Sequence, residues 1–306
     1  MAVVSKPRLR SAADGLVIID KPSGITSHDV VARLRRVCGS RAVGHAGTLD
    51  PMATGVLVMG IERGTKLLGH LTSAEKQYDA TIRCGVATDT EDAEGEITGV
   101  TSAAHLTDTE IRSVIAAFIG DQMQVPSSVS AIKVDGVRSY KRARAGEQFS
   151  LPARPISLSA IDVHAIRRHA SVVDVDISVR ASAGTYIRAL ARDIGTALAV
   201  GAHLTTLRRT ASGRFTLVDA IALPEVGDAI AILPLVEVLE REFSVARLNA
   251  AQSGLVAHGM RIAAPAGSPP GLTGLLSEDG AVLALSEAQD GVWRHHAVFP
   301  PAGADR

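Results

Sequence analysis

The 306-residue sequence is poor in cysteine and in aromatic residues, and its formal net charge is zero. Its two cysteines form no CxxC motif, so neither a disulfide framework nor a cysteine-ligated metal site is expected. Lysine plus arginine equals aspartate plus glutamate at 32 each, which argues against an indiscriminate, strongly basic nucleic-acid binder. No stretch is long and apolar enough to span a membrane, and the N-terminus lacks the apolar region of a signal peptide. We therefore expect a soluble protein of the reducing cytoplasm.

The charges are unevenly distributed along the chain. Residues 33–41 contain four arginines and no acid, whereas residues 89–96 contain five acids and no base. A second basic segment, at about 125–150, carries Lys133, Arg138, Lys141, Arg142 and Arg144. Such runs usually form solvated faces, although a basic run can also contact the phosphates of a nucleic acid.

Two helices have recognisable ends in the sequence. Ser27 is suited to cap the first helix, whose apolar residues recur on one face until Gly39 ends it. Thr107 and Glu110 can form a capping box at the start of the second helix. Gly120 is expected to end that second helix.

Strand patterns alternate with the helices. Apolar and polar residues alternate in Tyr78–Cys84 and again in residues 173–179. This alternation is typical of strands with one face in water, as in mixed or antiparallel sheets. We therefore predict an α+β domain over residues 1–240. After a connection rich in leucine, proline and glutamate, residues 241–306 are expected to form a small, mostly β second domain.

The segment at residues 41–60 could carry chemistry, because glycines and small residues there surround a single carboxylate, Asp50. Pro51 favours a turn at this carboxylate, since the residue before a proline avoids the helical region. Asp50 could be a nucleophile, a general base or a metal ligand, or could simply stabilise its own turn. His45 has no second histidine or cysteine at ligand spacing, so no metal site is expected. No phosphate-binding glycine motif is present either, which argues against a nucleotide cofactor.

Two further residues have more than one interpretation. Tyr78 opens a strand, where a tyrosine can stack on a nucleobase or pack in an ordinary core. Arg188 lies at the start of a helix, where a cation is unfavourable unless a carboxylate or a phosphate accompanies it. A simple surface arginine would also fit the pattern.

Six segments between about residues 15 and 215 together resemble the TruB family of bacterial tRNA pseudouridine-55 synthases, and they follow the family's order. The matching strings are LVIIDKPSGITSHDVVARLRR, VGHAGTLDPMATGVLVMGIERGTK, KQYDATIRCGVATDTEDAEGEI, PSSVSAIKVDGVRSYKRARAG, SAGTYIRALARDIG and GAHLTTLRRTASG. The resemblance implies catalytic roles at four positions. Asp50 would be the nucleophile, Tyr78 would stack on the target base, Arg188 would pair with Asp50, and Asp92 would orient that arginine.

The same resemblance implies residues that bind the substrate. The positions that would line the bound RNA or the base pocket are His45, Tyr186 and Leu207. Lys21 would be structural or close to the RNA. The basic segment at about 125–150 would clasp the RNA stem-loop, and residues 241–306 would form an RNA-binding domain of the PUA type.

The implied reaction is the isomerisation of uridine 55 in the T-loop of tRNA, after the base is flipped out of the fold. Asp50 could attack ribose C1′ or uracil C6, or assist departure of the base as an anion. No cofactor is expected, because substrate and product are isomers. The implied partner is the T-stem-loop of tRNA, bound by a monomer that needs no protein partner.

Two positions depart from the family's pattern, and three other functions compete with the implied one. Ala46 stands where threonine is common and Val129 where an aromatic residue is common, which could alter the grip on RNA. The alternatives are a small-RNA-guided relative that needs protein partners, a non-catalytic RNA-binding or tRNA-folding protein, and a hydrolase with an aspartate nucleophile. The hydrolase lacks a second acid or base at a recognisable spacing.

Overall fold

The computed structural model describes residues 13–127 and 151–300, and the backbone of residues 133–134 and 137–138. The helices are α1 (Ser27–Cys38), α2 (Leu68–Leu71), α3 (Asp108–Ala116), α4 (Ile187–Ala197), α5 (Leu235–Glu242) and α6 (Ala250–Ala257), with a 3-10 helix at Glu62–Leu67. The strands of the first two-thirds of the chain are β1 (Gly15–Lys21), β2 (Val43–Ala46), β3 (Thr54–Ile61), β4 (Lys76–Cys84), β5 (Val86–Thr88), β6 (Ile97–Val100), β7 (Gly120–Gln124), β8 (Lys133–Val134), β9 (Val137–Arg138), β10 (Arg154–His169) and β11 (Val172–Ala181). The remaining strands are β12 (Ala202–Ser212), β13 (Phe215–Thr216), β14 (Ile221–Ala222), β15 (Leu233–Pro234), β16 (Ser244–Leu248), β17 (Leu272–Ser277), β18 (Val282–Gln289) and β19 (Val292–Val298).

An eleven-stranded mixed sheet organises the chain before α5. Its main path runs β14-β1-β3-β12-β4-β11-β10-β7, with β2, β13 and β15 paired at its sides. The pairs β1–β14 and β3–β12 are parallel, whereas β4 pairs antiparallel with both β11 and β12. The predicted α+β class with a mixed sheet is therefore confirmed.

The two strands predicted from alternation are present as β4 and β11, which lie side by side in the sheet. Alternate residues of β4 are buried, and its apolar face joins the large core beneath α1, α3 and α4. The strand places Lys76, Tyr78 and Ala80 on the same buried face because side chains on a strand repeat every second residue. This face forms one side of the site described below.

The N-cap of the first predicted helix lies one residue earlier than expected. Thr26, not Ser27, is the N-cap of α1, and it forms a capping box with Asp29. Ser27 is instead buried, where its hydroxyl accepts the Leu49 N–H at 2.8 Å and donates to the Leu49 carbonyl at 3.0 Å. Gly39 ends the helix in the left-handed conformation, as predicted. Ser27 thus joins α1 to the turn that contains Asp50.

The second predicted helix has the expected start and a different end. Thr107 and Glu110 form the predicted capping box of α3. The helix stops at Ala116, and Gly120 begins β7 instead of terminating the helix. β7 pairs with β10 at the edge of the sheet, so the chain there has already left the helix.

A four-stranded sheet, β16-β17-β18-β19, lies in the C-terminal part of the chain, where a small, mostly β unit was predicted. Trp293 is buried in its own small core. Leu276, Leu285 and Phe299 of this part also pack in one cluster with Leu16 and other side chains of the first sheet. The expected boundary between residues 240 and 241 stays a prediction. In the described part of the chain, no helix is long and apolar enough to cross a membrane.

Candidate active site

Asp50 lies in the tight turn between β2 and β3. Its carbonyl accepts the Ala53 N–H at 3.1 Å, and about a third of its side chain, 34%, is exposed. Lys21, at the end of β1, is fully buried beside this turn. Its ammonium donates to the carbonyls of Pro51 at 3.2 Å, Ile25 at 2.6 Å and Pro22 at 2.9 Å. The sequence left Lys21 as structural or close to the RNA, and these contacts give it a structural place behind Asp50.

Burial changes the acid–base behaviour of Lys21. Loss of hydration lowers the pKa of its ammonium to about 8, although the negative charge of Asp50 acts in the opposite direction. The three carbonyl contacts use all three N–H donors of the ammonium. Lys21 therefore has no donor left for a ligand, and it fixes the backbone of the turn.

Arg188 is the partner of Asp50. It is the second residue of α4, is 3% exposed, and donates from Nε to Asp50 Oδ2 at 2.9 Å. Its Nη1 donates to the Thr90 carbonyl at 2.8 Å and to Ser127 Oγ at 3.0 Å. The alternative of a surface arginine is wrong, because this guanidinium is buried and surrounded by acceptors. The structure thus has the ion pair that the resemblance implied.

Asp92 supports Arg188 from the side away from solvent. Its carboxylate is 3.6 Å from Arg188 Nη1 and is itself buried. Thr90 Oγ1 donates to Asp92 at 2.6 Å and the Glu94 N–H donates to it at 3.1 Å. The carboxylate is therefore held by its own turn, and it faces the guanidinium and not the open part of the site.

A cavity of about 240 Å³ opens next to Asp50. Five of the predicted residues line it, namely Asp50, Tyr78, Tyr186, Arg188 and Leu207. The backbone of Tyr186 is fixed by Gln124, whose Oε1 accepts the Tyr186 N–H at 2.9 Å and whose Nε2 donates to the Tyr186 carbonyl at 3.1 Å. Tyr78 comes from β4 and Leu207 from β12, which are neighbouring strands. From these five residues, one carboxylate, one guanidinium and two aromatic rings line the same cavity.

His45 is not among the described residues that line this cavity. It lies on β2, and its Nδ1 is buried with no hydrogen-bond partner in the described part of the chain. Burial lowers the pKa of His45, and the positive charge of Arg209 lowers it further. Its ring thus lies on the strand that leads into the Asp50 turn, outside the described lining of the cavity.

Between residues 128 and 150 of the basic segment, the structure describes the backbone of 133–134 and 137–138. The backbone of Lys133 pairs with that of Arg138 in the two-stranded β8–β9 sheet. Lys141, Arg142, Arg144 and Val129 lie outside the described residues. Their contacts with RNA stay a prediction.

Two charged residues of the cavity were missed by the sequence analysis, Lys76 and Arg209. Arg209 is 1% exposed and donates to the carbonyls of Val56 at 2.7 Å and Gly47 at 3.1 Å. Lys76 is 5% exposed and lies two residues before Tyr78 on the same face of β4. A signal was available, because Lys76 precedes Tyr78, and Arg209 follows Leu207, by the two-residue period of a strand.

Two family models match this chain. Residues 35–187 match the model described as "TruB family pseudouridylate synthase (N terminal domain)", and residues 188–236 match that of the "tRNA pseudouridylate synthase B C-terminal domain". The tRNA pseudouridine synthase B of Streptomyces griseus subsp. griseus is 50% identical over 291 residues, which cover 94% of this chain and 97% of that protein. That of Corynebacterium aurimucosum is 55% identical over 246 residues, 80% of this chain and 83% of that protein.

The fold is also similar to that of a chain in the solved crystal structure of a Cbf5-Nop10-Gar1 complex. That chain has a TM-score of 0.72 and 26% identity, over 96% of this chain and 88% of its own length. Sequence identity is thus about twice as high to the tRNA enzymes as to this structural neighbour. On the family match and the extent of these identities, the chain belongs to the TruB family of pseudouridylate synthases.

Proposed function

We propose that this chain is a tRNA pseudouridine synthase that converts uridine 55 of the T-loop into pseudouridine, with Asp50 as nucleophile. The ion pair between Arg188 and Asp50 at the wall of the cavity carries the proposal most strongly. The guanidinium stabilises the negative charge of the carboxylate and fixes which oxygen faces the substrate. Arg188 Nε donates to Oδ2, which leaves Oδ1 as the oxygen proposed to attack.

The size of the cavity agrees with a substrate base that leaves the RNA fold before it reacts. Flipping a base costs about a few kcal/mol. The ring of Tyr78 and the side chain of Leu207 offset part of this cost, because they provide apolar surface for the flipped base. Tyr186, the N-cap residue of α4, lines the same cavity.

The reaction needs only groups of the substrate and of this chain. The bond between C1′ and N1 breaks, the base turns, and a bond forms between C1′ and C5. The C5 proton leaves and N1 gains a proton, so the product is an isomer of the substrate. Asp50 assists by attack at C1′ or C6, which forms a bond to the carboxylate that breaks again before the product leaves, or by stabilising the transition state for loss of the base. No cofactor enters this balance.

The proposal extends to partner, assembly and location. The T-stem-loop of tRNA is the substrate, and the curated relatives are named for the same class of RNA. The structural neighbour was solved in a complex with Nop10 and Gar1. We propose that this chain works as a monomer without such partners, with residues 241–306 as a PUA-like RNA-binding unit. The free, buried thiols of Cys38 and Cys84 agree with a reducing cytoplasm.

The test follows tritium release from tRNA labelled at C5 of uridine. The wild type is expected to release the label of residue 55, and Asp50→Asn is expected to release none above background. Asparagine keeps the shape of the side chain and an acceptor for Arg188, so its fold and its tRNA affinity serve as controls. A transcript with cytidine at position 55 controls for the target.

Each outcome has a defined meaning. Release that persists in Asp50→Asn would remove the nucleophile role from this residue. A wild type that binds tRNA and releases nothing would favour the RNA-binding or tRNA-folding alternative. Release from the transcript with cytidine at position 55 would show that the target is another uridine.

A further inference from the structure

The cavity contains a second group of cations, Lys76 and Arg209, which differs from Arg188 in its partners. Within the described part of the chain, neither forms an ion pair, whereas Arg188 is within 4 Å of two carboxylates. Both are nearly fully buried, at 5% and 1% exposure. Burying a cation without a counter-charge costs several kcal/mol, so two together in one cavity need an explanation.

Backbone carbonyls account for only part of their hydrogen-bonding capacity. The Lys76 ammonium donates to the carbonyls of Thr72 and Ala74, which leaves one of its three donors. Arg209 donates to the carbonyls of Val56, Thr48 and Gly47, which uses three of the five N–H groups of a guanidinium. Each cation therefore retains both its charge and at least one donor for a ligand.

Gly47 leaves a gap between the two side chains. It lines the cavity with a φ of +87°, a conformation that favours glycine. A Cβ at this residue would lie 3.5 Å from Arg209 Nη1 and 3.8 Å from Lys76 Cε, and apart from its two chain neighbours no other described residue would come within 4 Å. The two cations thus border one small open space, and a side chain here would fill it.

The positive charges of Lys76 and Arg209 also act on one another. Burial, and to a lesser degree the charge of Arg209, lower the pKa of Lys76 to about 8. An anion in the gap would oppose both effects, because it restores a counter-charge to each cation. The charge-assisted hydrogen bonds it would accept are stronger than bonds between neutral groups.

We propose that Lys76 and Arg209, with Gly47 between them, form an anion subsite that holds one backbone phosphate of the RNA next to the flipped uridine. This rests on the proposed function, since a nucleotide in the cavity carries a phosphate on each side of its ribose. The phosphate contact fixes the position of the nucleotide without reading its base. The ribose is thereby held while Asp50 and Tyr78 act on the C1′ end and the base.

The test combines one protein change with one RNA change. Binding to a T-stem-loop RNA is measured for the wild type and Lys76→Met. The RNA is either unmodified or carries an uncharged methylphosphonate 5′ or 3′ of residue 55. On unmodified RNA, Lys76→Met is expected to weaken binding about tenfold and to lower the slope of log K against log salt by about one. At one methylphosphonate position, the two proteins are expected to bind equally.

Lys21→Met is the matched control. Lys21 is also buried and also binds carbonyls, but it is not among the described residues that line the cavity. Its replacement is expected to weaken binding by the same factor on all three RNAs. Equal weakening by Lys76→Met on all three would overturn the subsite and leave Lys76 with a structural role.

The wild-type protein alone also tests the proposal, should Lys76→Met fail to fold. If neither methylphosphonate weakens wild-type binding, no phosphate is held at this subsite. Tritium release by the wild type from unmodified RNA is recorded in parallel. Normal release with no methylphosphonate effect would refute the subsite alone, whereas absence of release would refute the proposed function.

Discussion

Two kinds of contact hold the turn that carries Asp50. We call them the acid-paired side, where Arg188 meets Asp50, and the carbonyl-bound side, where Lys21 and Arg209 bind backbone carbonyls. Arg188 approaches the side chain and pairs with the carboxylate. Lys21 and Arg209 approach the backbone and donate to the carbonyls of Pro51, Thr48 and Gly47. The acid-paired cation sets the direction of the reactive group, whereas the carbonyl-bound cations set the path of the chain. Within the described residues, Lys21 and Arg209 form no ion pair, whereas Arg188 forms two.

This difference has energetic consequences. Removing one member of a buried ion pair costs about 3–5 kcal/mol, because the other charge stays buried without a partner. Removing a carbonyl-bound lysine has opposing effects. It leaves carbonyls unsatisfied, at about 1–3 kcal/mol each, and it also ends the cost of burying the cation. The acid-paired side is therefore expected to be the more sensitive one in catalysis, and the carbonyl-bound side the more sensitive one to pH.

The largest effect is expected for Arg188→Lys, which keeps the charge on the acid-paired side but removes the planar fork. One ammonium cannot take over both the Nε contact with Asp50 and the Nη1 contacts with Thr90 and Ser127. The transition state is expected to lose about 3 kcal/mol of stabilisation. This corresponds to at least about a hundredfold fall in kcat/KM for tritium release. Affinity for tRNA is expected to change far less. Activity within about fivefold of the wild type would mean that charge alone suffices.

An effect of similar size is expected for Lys21→Met on the carbonyl-bound side. It concerns the free energy of unfolding and appears as a dependence on pH. The pKa of Lys21 is about 8 in the folded protein and 10.5 in the absence of burial. Between these values the unfolded chain binds more protons, so this lysine makes the wild type more stable as pH rises from 8 to 10.5. The free energy of unfolding is expected to gain about 3 kcal/mol in total across this pH range.

Urea unfolding at several pH values measures this effect. The difference in unfolding free energy between wild type and Lys21→Met is expected to shift in favour of the wild type by that amount between pH 8 and 10.5. Below pH 8 the difference is expected to be constant, since the lysine is charged in both states. Parallel stability curves across the window would show that the buried ammonium keeps its ordinary pKa.

The two sides also differ in how far the sequence revealed them. Asp50, Tyr78 and Arg188 were predicted because glycine-rich turns, strand alternation and a helix start are local patterns, and the family resemblance joined them. Lys76 and Arg209 were missed, because a charged residue on the apolar face of a strand contradicts the alternation that defines that face. The carbonyl partners of Arg209 are more than 150 residues away in sequence, so only the folded chain brings them together.

The two helix ends differ in what the sequence could reveal. Thr26 and Ser27 are both good caps, and Asp29, three residues after Thr26, favours Thr26 because it completes a capping box. The backbone of Leu49 adds a long-range contact, since it binds the Ser27 hydroxyl across 22 residues of chain. Gly120 resembles a helix terminator, yet its long-range pairing with Leu158 places it in β7.

The smallest effect is expected for Arg192→Met, which lies one helical turn after Arg188 on the acid-paired side. Arg192 Nη1 donates to Glu91 Oε1 at 2.6 Å, and Nη2 donates to the Val125 carbonyl at 2.8 Å. Glu91 sits between Thr90 and Asp92, which both contact Arg188, and has a φ of +64° that a glutamate rarely adopts. Arg192 therefore braces the turn that holds Arg188 as well as the segment leading to Ser127.

A loss of about 2 kcal/mol in unfolding free energy is expected for Arg192→Met, together with a fall of several-fold in kcat and little change in KM. Arg168→Met is the matched control, because Arg168 pairs with Asp108 where both side chains are largely exposed, at 43% and 58%. Its loss of unfolding free energy is expected to be about 0.5 kcal/mol or less.

Glu91→Gln adds a pH readout. Burial raises the pKa of Glu91, so the wild type must lose stability relative to Glu91→Gln as pH rises above about 4.5. If Arg192→Met and Arg168→Met lowered kcat equally, the brace would have no part in positioning Arg188, and the acid-paired side would consist of Arg188, Asp50 and Asp92 alone.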